Sequence, residues 1–264
     1  MNWVRDIKQN IKNEVIAIDG KTIRGMATRS HFKAGSEAKS IHLVSAWATE
    51  NELVFAQVQT EEKSNEITAI PLLLEQIAIK GCIITIDAMG CQYEIAEKIV
   101  KKEAQYVFSL KGNQETLHDE VKEYWDMLDF NKPQVQAKYI RFHTISTYEE
   151  KHGRKETRDY AVSDDVQWLK KQFPQWKTIN SIGMVESTRD TGEQSKTERR
   201  YFISSLGADE ELFAYAVRSH WGIENRLHYM LDVIYRENTC RIRKDYSLRT
   251  LALIRKNRSH YSEV

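Results

Sequence analysis

The sequence predicts a mixed α/β fold. One mixed sheet carries helices on both faces, and a β-rich segment interrupts it before a last long helix. Three observations carry this. Three strand-like runs open the chain and are followed by helix, strand, helix, strand and helix, a rhythm that builds a mixed sheet with covering helices. The fourth strand-like run, Cys82–Asp87 (CIITID), is nearly all apolar, as expected of a central strand covered on both faces. From Lys132 to Ser205 the texture changes to short alternating segments typical of antiparallel strands.

Taken in order, Val15–Asp19 is an apolar, β-branched run closed by Asp19-Gly20, which predicts a strand ending in a turn. Thr22–Ser40 is polar and basic and predicts an exposed loop. Ile41–Thr49 (IHLVSAWAT) and Leu53–Thr60 (LVFAQVQT) predict two strands, and Glu50–Glu52 between them suits a tight hairpin. Asn65–Ile79 has helical periodicity, with Pro71 the one discordant residue. Gln92–Glu103 reads as a charged amphipathic helix, Tyr106–Leu110 as a fifth strand and Gln114–Leu128 as another helix. Tyr139–Tyr148, Arg158–Val162, Ser181–Ser187 and Arg199–Ser205 read as the antiparallel strands of the β-rich segment. Glu210–Tyr235 then reads as one long helix with Phe213, Val217, Trp221, Leu227, Met230 and Leu231 along it. Arg236–Arg258 is a stretch holding eight lysines and arginines. These textures divide the chain at 1–131, 132–206 and 207–264.

Composition narrows the function. Of 264 residues, 41% are hydrophobic and 29% charged, and the net charge is +1. That is the makeup of a soluble globular protein. Nucleic-acid contact would have to come from local basic patches, not from the overall field. No apolar run reaches the roughly eighteen residues that a membrane-spanning helix needs. The opening MNWVRDIKQNIKNE lacks the apolar core of a signal peptide. Cys82, Cys91 and Cys240 are odd in number and lack metal-ligand spacing, and so read as reduced thiols of a cytoplasmic protein.

Asp19 and Asp87 close matching runs, VIAID-G and CIITID-A. If these strands are parallel neighbours, both carboxylates emerge at the sheet edge where open α/β sheets bind ligands. Adjacent carboxylates repel and call for a cation. Magnesium takes oxygen ligands and substrate phosphates, and two such ions about 3.5–4 Å apart clamp the attacking and leaving oxygens of a phosphoryl displacement. Taken singly, each aspartate reads more readily as a turn or helix cap. Glu224, in SHWGIENRLHYMLD, is the third candidate, and Asp232 and Glu237 compete with it on the same segment. Its plainer reading is a solvated glutamate paired with Arg226 or His228. Lys21 and Arg24 follow Asp19, and Lys111 follows the fifth strand. They suit an anionic substrate larger than one phosphate, or are ordinary surface charge. HGRKETRDY and TERRYF either line a nucleic-acid groove or form exposed strand faces.

In this order, AIDGKTIRG, IDAMGCQ, FSLKGNQ, HGRKETR, RYFISSL and SHWGIENRLHYMLDVIYRE resemble insertion-sequence transposases of the H-repeat-associated (ISAs-type) branch of the DDE superfamily. The resemblance runs from about Val15 to Ile254. It implies a ribonuclease H-like mixed sheet flanked by helices, with a β-rich insertion before the last catalytic helix. It also implies Mg²⁺-dependent DNA cleavage and strand transfer, with Mn²⁺ as a substitute ion. The metal-binding carboxylates of the family fall on Asp19, Asp87 and Glu224. Phosphate contacts would fall to Lys21, Arg24, Lys111, Arg218, His220 and the C-terminal basic stretch. The implied partners are transposon ends and target DNA, and paired-end chemistry suits a homodimer. Members carry an N-terminal domain expected to help recognise transposon ends, whereas the motifs here begin almost at once. The superfamily pattern around the third carboxylate is met in part by Tyr215 and Arg218, with His220 in the place of its arginine. The runner-up expectation is a shortened, inactive relative that at most binds DNA. A third is a metal-dependent nuclease of the same fold that cuts without joining.

Overall fold

The computed structural model describes residues 14–23, 41–60, 66–128, 142–151, 153–192, 194–239 and 247–258. They form two compact units, one from Met1–Ala104 with Arg218–Val264 and the other from Gln105–Val217.

The first unit holds β1 (Val15–Ile23), β2 (Ile41–Ala48), β3 (Leu53–Thr60) and β4 (Ile83–Ile86), in spatial order β3-β2-β1-β4. β1 pairs antiparallel with β2, and β2 with β3, while β1 and β4 run parallel. From β1 the chain passes through β2, β3 and α1 (Glu66–Gln76) before it reaches the parallel neighbour β4. On α1, Ala69, Ile70, Leu73 and Leu74 recur at helical spacing and are buried, and Pro71 lies inside the helix. α2 (Tyr93–Lys101) likewise buries Ile95, Ala96 and Ile99. Every residue of β4 is buried, in line with its unbroken apolar run. Glu52 takes a positive φ of 52° in the β2–β3 hairpin. Cys82 and Cys91 are buried thiols outside any disulfide, and burial pushes Cys82 up to about 12, far from a reactive thiolate. Cys240 lies outside the described residues, as does most of the expected loop Thr22–Ser40.

Asp19-Gly20 is not a turn. β1 runs on to Ile23, because β2 continues to pair with it from Asp19↔Ser45 to Ile23↔Ile41. The glycine answers a packing demand instead. A Cβ on Gly20 would fall on the Glu66 carboxylate and the His42 ring, whose Oε1 and Nε2 lie 2.6 Å apart beneath it.

The expected single helix over Glu210–Tyr235 also changes character. α5 (Glu210–Gly222) is α-helical, and the boundary between the units falls inside it. The winding then widens to π-helix over Ile223–His228 and Met230–Ile234. Ile223, Leu227 and Leu231 pack with Ala17, Trp47 and Val54, each such burial contributing about 1.5–3 kcal/mol before entropy is counted. α6 (Ser247–Arg258) closes the unit, with Ala252 against Ile23 and Leu43. The basic tail is therefore not all surface. Lys256 is fully buried, and its Nζ donates to Ser45 Oγ at 2.6 Å and Gln57 Oε1 at 3.2 Å. Among the described residues no helix is long and apolar enough to cross a membrane.

The second unit holds β5 (Gln105–Leu110), α3 (Glu115–Asp126), β6 (His143–Lys151), β7 (Arg154–Ser163), α4 (Gln167–Gln172), β8 (Ser181–Asp190) and β9 (Ser195–Ser204). Its strands are ordered β5-β9-β8-β7-β6, each antiparallel to the next. α3 buries Leu117, Val121 and Trp125. β7, β8 and β9 are buried at one end and exposed at the other. At the exposed end the basic residues of HGRKETR and TERRYF are largely spent on one another's acidic neighbours. Arg158 meets Glu149 and Glu156, Arg199 meets Glu186 and Asp126, and Arg200 meets Glu198. Arg158–Glu149 and Arg199–Glu186 cross between strands, whereas Arg158–Glu156 and Arg200–Glu198 each lie within one strand.

Candidate active site

The parallel register of β1 and β4 runs Val15↔Ile83, Ile16↔Ile84, Ala17↔Thr85 and Ile18↔Ile86. The next residue on each strand is an aspartate, so Asp19 and Asp87 leave the ladder side by side. β4 stops there because Asp87 starts a short 3-10 turn, Ala88–Gly90. Its Oδ1 accepts from the N–H groups of Met89 and Gly90 at 3.1 and 3.4 Å. The capping reading of this aspartate and its place beside Asp19 are thus compatible. One oxygen of Asp19 is also held, with Gly20 N–H donating to Oδ1 at 2.8 Å.

The Asp19 side chain is 16% exposed. Its pKa is pushed up to about 7, first by desolvation, with like charge from Asp87, Glu224 and Glu66 adding to it and the Gly20 N–H opposing. The list of neighbours is informative. Asp87 and Glu224 lie within electrostatic reach of Asp19, although Glu224 is more than two hundred positions away in the chain. Glu66, which sequence reasoning did not single out, is the third neighbour.

Glu224 rides at the start of the π-helical stretch, with an exposed side chain. The stretch is brought close to β2 by Gly222, where a Cβ would approach the Trp47 ring to 2.8 Å. One turn on from Glu224, His228 places Nδ1 3.5 Å from Asp19 Oδ2. Desolvation pushes His228 down to about 3, with Lys21 and Lys256 adding to the effect, so the ring is neutral at physiological pH. Another turn on, Asp232 Oδ2 meets Lys21 Nζ at 2.6 Å. Glu237, the other competitor of Glu224 in the sequence, is fully buried, and its carboxylate lies near Lys256 and Lys21.

The expected phosphate contacts fare differently. Lys21 is buried and its ammonium is committed to Asp232, so it does not present a free cation. His220 shares a hydrogen bond with Thr85 Oγ1 at 2.9 Å, and desolvation pushes it down to about 4, so it carries no positive charge. Arg218 is exposed at the start of the first unit's C-terminal part. Lys111 is exposed in the second unit, near Glu198. Arg24 lies outside the described residues.

The donor chemistry suits a hard divalent cation. It consists of carboxylates, and Asp19 is destabilised as an anion first by desolvation and then by the negative charge of Asp87, Glu224 and Glu66. Among the described residues, no group of three or more His, Cys, Asp or Glu side chains converges closely enough to hold a metal ion as it stands.

The chain is similar to known proteins over most of its length. The profile of the transposase DDE domain matches residues 11–256. The "H repeat-associated putative transposase YhhI" of Escherichia coli (strain K12) is 41% identical over 248 residues, covering 92% of this chain and 62% of its own. The "Putative transposase YncI" of Escherichia coli O157:H7 is 41% identical over 260 residues, covering 97% of this chain and 63% of its own. The chain therefore spans a little under two thirds of the length of these relatives. A solved piggyBac transposase synaptic complex with hairpin DNA aligns at 11% identity and a TM-score of 0.47, over 97% of this chain and 48% of that one.

Proposed function

The chain belongs to the transposase DDE domain family, and from that premise we propose that it forms the catalytic region of an insertion-sequence transposase, cleaving and joining DNA strands. In this reading the core is ribonuclease H-like and 132–206 is a β-rich insertion. Asp19, Asp87 and Glu224 hold a divalent metal, Mg²⁺ with Mn²⁺ as its substitute. The substrates are transposon ends and target DNA, and pairing of two ends would engage two copies of the chain. The observation that carries the reading is the β1–β4 register, which sets Asp19 beside Asp87 while the field of Glu224 reaches the same carboxyl.

A divalent ion bound there would neutralise and polarise a DNA phosphate. The chain's own residues prepare the place. The Gly20 N–H and the Ala88–Gly90 turn each hold one oxygen of an aspartate. Asp19, raised to about 7, sheds its proton near neutral pH when positive charge arrives. His228 and His220, neutral, border the carboxylates without repelling a cation. Arg24, Lys111 and Arg218 remain the residues for phosphate contacts.

The test is calorimetric titration of Mn²⁺ into wild type and Asp19→Asn in the presence of duplex DNA, with a nicking assay on the same samples. Binding and nicking in the wild type, both lost in Asp19→Asn, are expected. Binding without nicking would identify a folded but inactive relative. Nicking that survives in Asp19→Asn would overturn the assignment.

A further inference from the structure

We propose that Lys21 and Asp232 are positioning residues whose ion pair fixes the Glu224 segment against the strand that carries Asp19. The proposal rests on the reading of Asp19, Asp87 and Glu224 as one acidic site.

Lys21 Nζ lies 2.6 Å from Asp232 Oδ2, and the two side chains are 9% and 39% exposed. The other oxygen of Asp232 accepts from Asn238 Nδ2 at 2.8 Å, so both oxygens of the carboxylate are held. Residues 19 and 21 are two apart on a strand and therefore project to the same face. Their contacts on the facing segment are His228 and Asp232, four apart and about one helical turn. Glu224 stands four residues before His228 and begins the same stripe. The position of Glu224 along β1 is thus tied to where Lys21 grips Asp232.

The segment needs such a tie. It is π-wound over Ile223–His228 and Met230–Ile234, a rare winding concentrated at functional sites. The apolar stripe Ile223, Leu227 and Leu231 supplies adhesion to Ala17 and Trp47. Adhesion of that kind is non-directional and tolerates sliding. A charge-assisted hydrogen bond is directional and does not. Lys21 thereby acts on the acidic site through Asp232 and not through a DNA phosphate.

The experiment compares wild type, Lys21→Met, Asp232→Asn, the charge swap Lys21→Asp/Asp232→Lys and the apolar pair Lys21→Met/Asp232→Leu. Three quantities are read: amide hydrogen exchange over residues 223–234, Mn²⁺ affinity with DNA present, and nicking. Each single change is expected to speed exchange in 223–234 and to lower Mn²⁺ affinity or nicking by about 10–100-fold, the usual effect of losing a partner that orients a ligand. At least one double variant is expected to regain slow exchange and come within about tenfold of wild-type nicking. The apolar pair keeps the test open if the charge swap does not fold. Doubles that regain slow exchange but nick no better than Lys21→Met would overturn the proposal, because the lysine would then be needed for its own contact with substrate. Singles with wild-type exchange would overturn it too. If wild type and Asp19→Asn behave alike in metal binding and nicking, it is the catalytic reading that has failed, and the exchange data still decide whether the pair holds the segment.

Discussion

Asp19 concentrates the physics of the site in one carboxyl. Its ordinary pKa of 3.8 rises to about 7 in the fold, first through desolvation and then through neighbouring negative charge. Below about pH 4 both folded and unfolded chains hold the proton. Between about 4 and 7 the folded chain keeps a proton that the unfolded chain has lost, so this group makes stability fall as pH rises, and the effect levels off above 7. The total is on the order of a few kcal/mol. Without metal, Asp19→Asn should therefore be more stable than wild type at pH 8 and should lose this advantage near pH 4. Urea unfolding of both proteins at pH 4, 6 and 8 measures it, and a difference independent of pH would sink the account. The same residue shows what was legible. An apolar run ending on a carboxylate is visible in the sequence, whereas the pressure on its proton comes first from burial and then from Asp87, Glu224 and Glu66, all of which only folding supplies.

Among the elements, β1 and the π-helical stretch depart most from what their local patterns predict. Asp-Gly after an apolar run is a strong turn signal, but a strand paired along one edge by β2 is held extended beyond that signal. The glycine is explained by the buried Glu66–His42 pair beneath it, a contact invisible from local sequence. Gly20→Ala should cost about 1–3 kcal/mol by overpacking. Thermal or urea denaturation would show it, and a neutral substitution would mean that the pair moves aside freely. In the helical run, one signal was available. Ile223, Leu227, Leu231 and Tyr235 recur at intervals of four, and an α-helix of 3.6 residues per turn would rotate such a stripe away from its partner. A wider winding keeps it facing Trp47. The basic patches of β7 and β9 could be read from sequence only as charge. Several of their acidic partners stand on a neighbouring strand or on α3, and that pairing depends on strand register.

For the whole molecule, the two units differ in how the chain builds them. Gln105–Val217 is continuous, and its five strands pair antiparallel with near neighbours in sequence, apart from β5 with β9. The other unit is assembled from Met1–Ala104 and Arg218–Val264. A fragment of residues 105–217 should therefore melt cooperatively by circular dichroism, while 1–104 alone should not, because Trp47 and Ala17 would lose the cover of Ile223, Leu227 and Leu231. A cooperative transition in 1–104 would contradict this division. What could be learned without the fold was a matter of residue type and local order: the mixed α/β pattern, the apolar strands, the carboxylates that end them and the family that shares their motifs. Those properties are written in neighbouring residues. The tertiary structure alone decided which charges meet. Lys21, a candidate phosphate contact, is the partner of Asp232, and Lys256, within the basic stretch expected to contact phosphates, is a buried donor to Ser45 and Gln57. Electrostatic interactions depend on distance and desolvation, and neither exists for residues two hundred positions apart until the chain has folded.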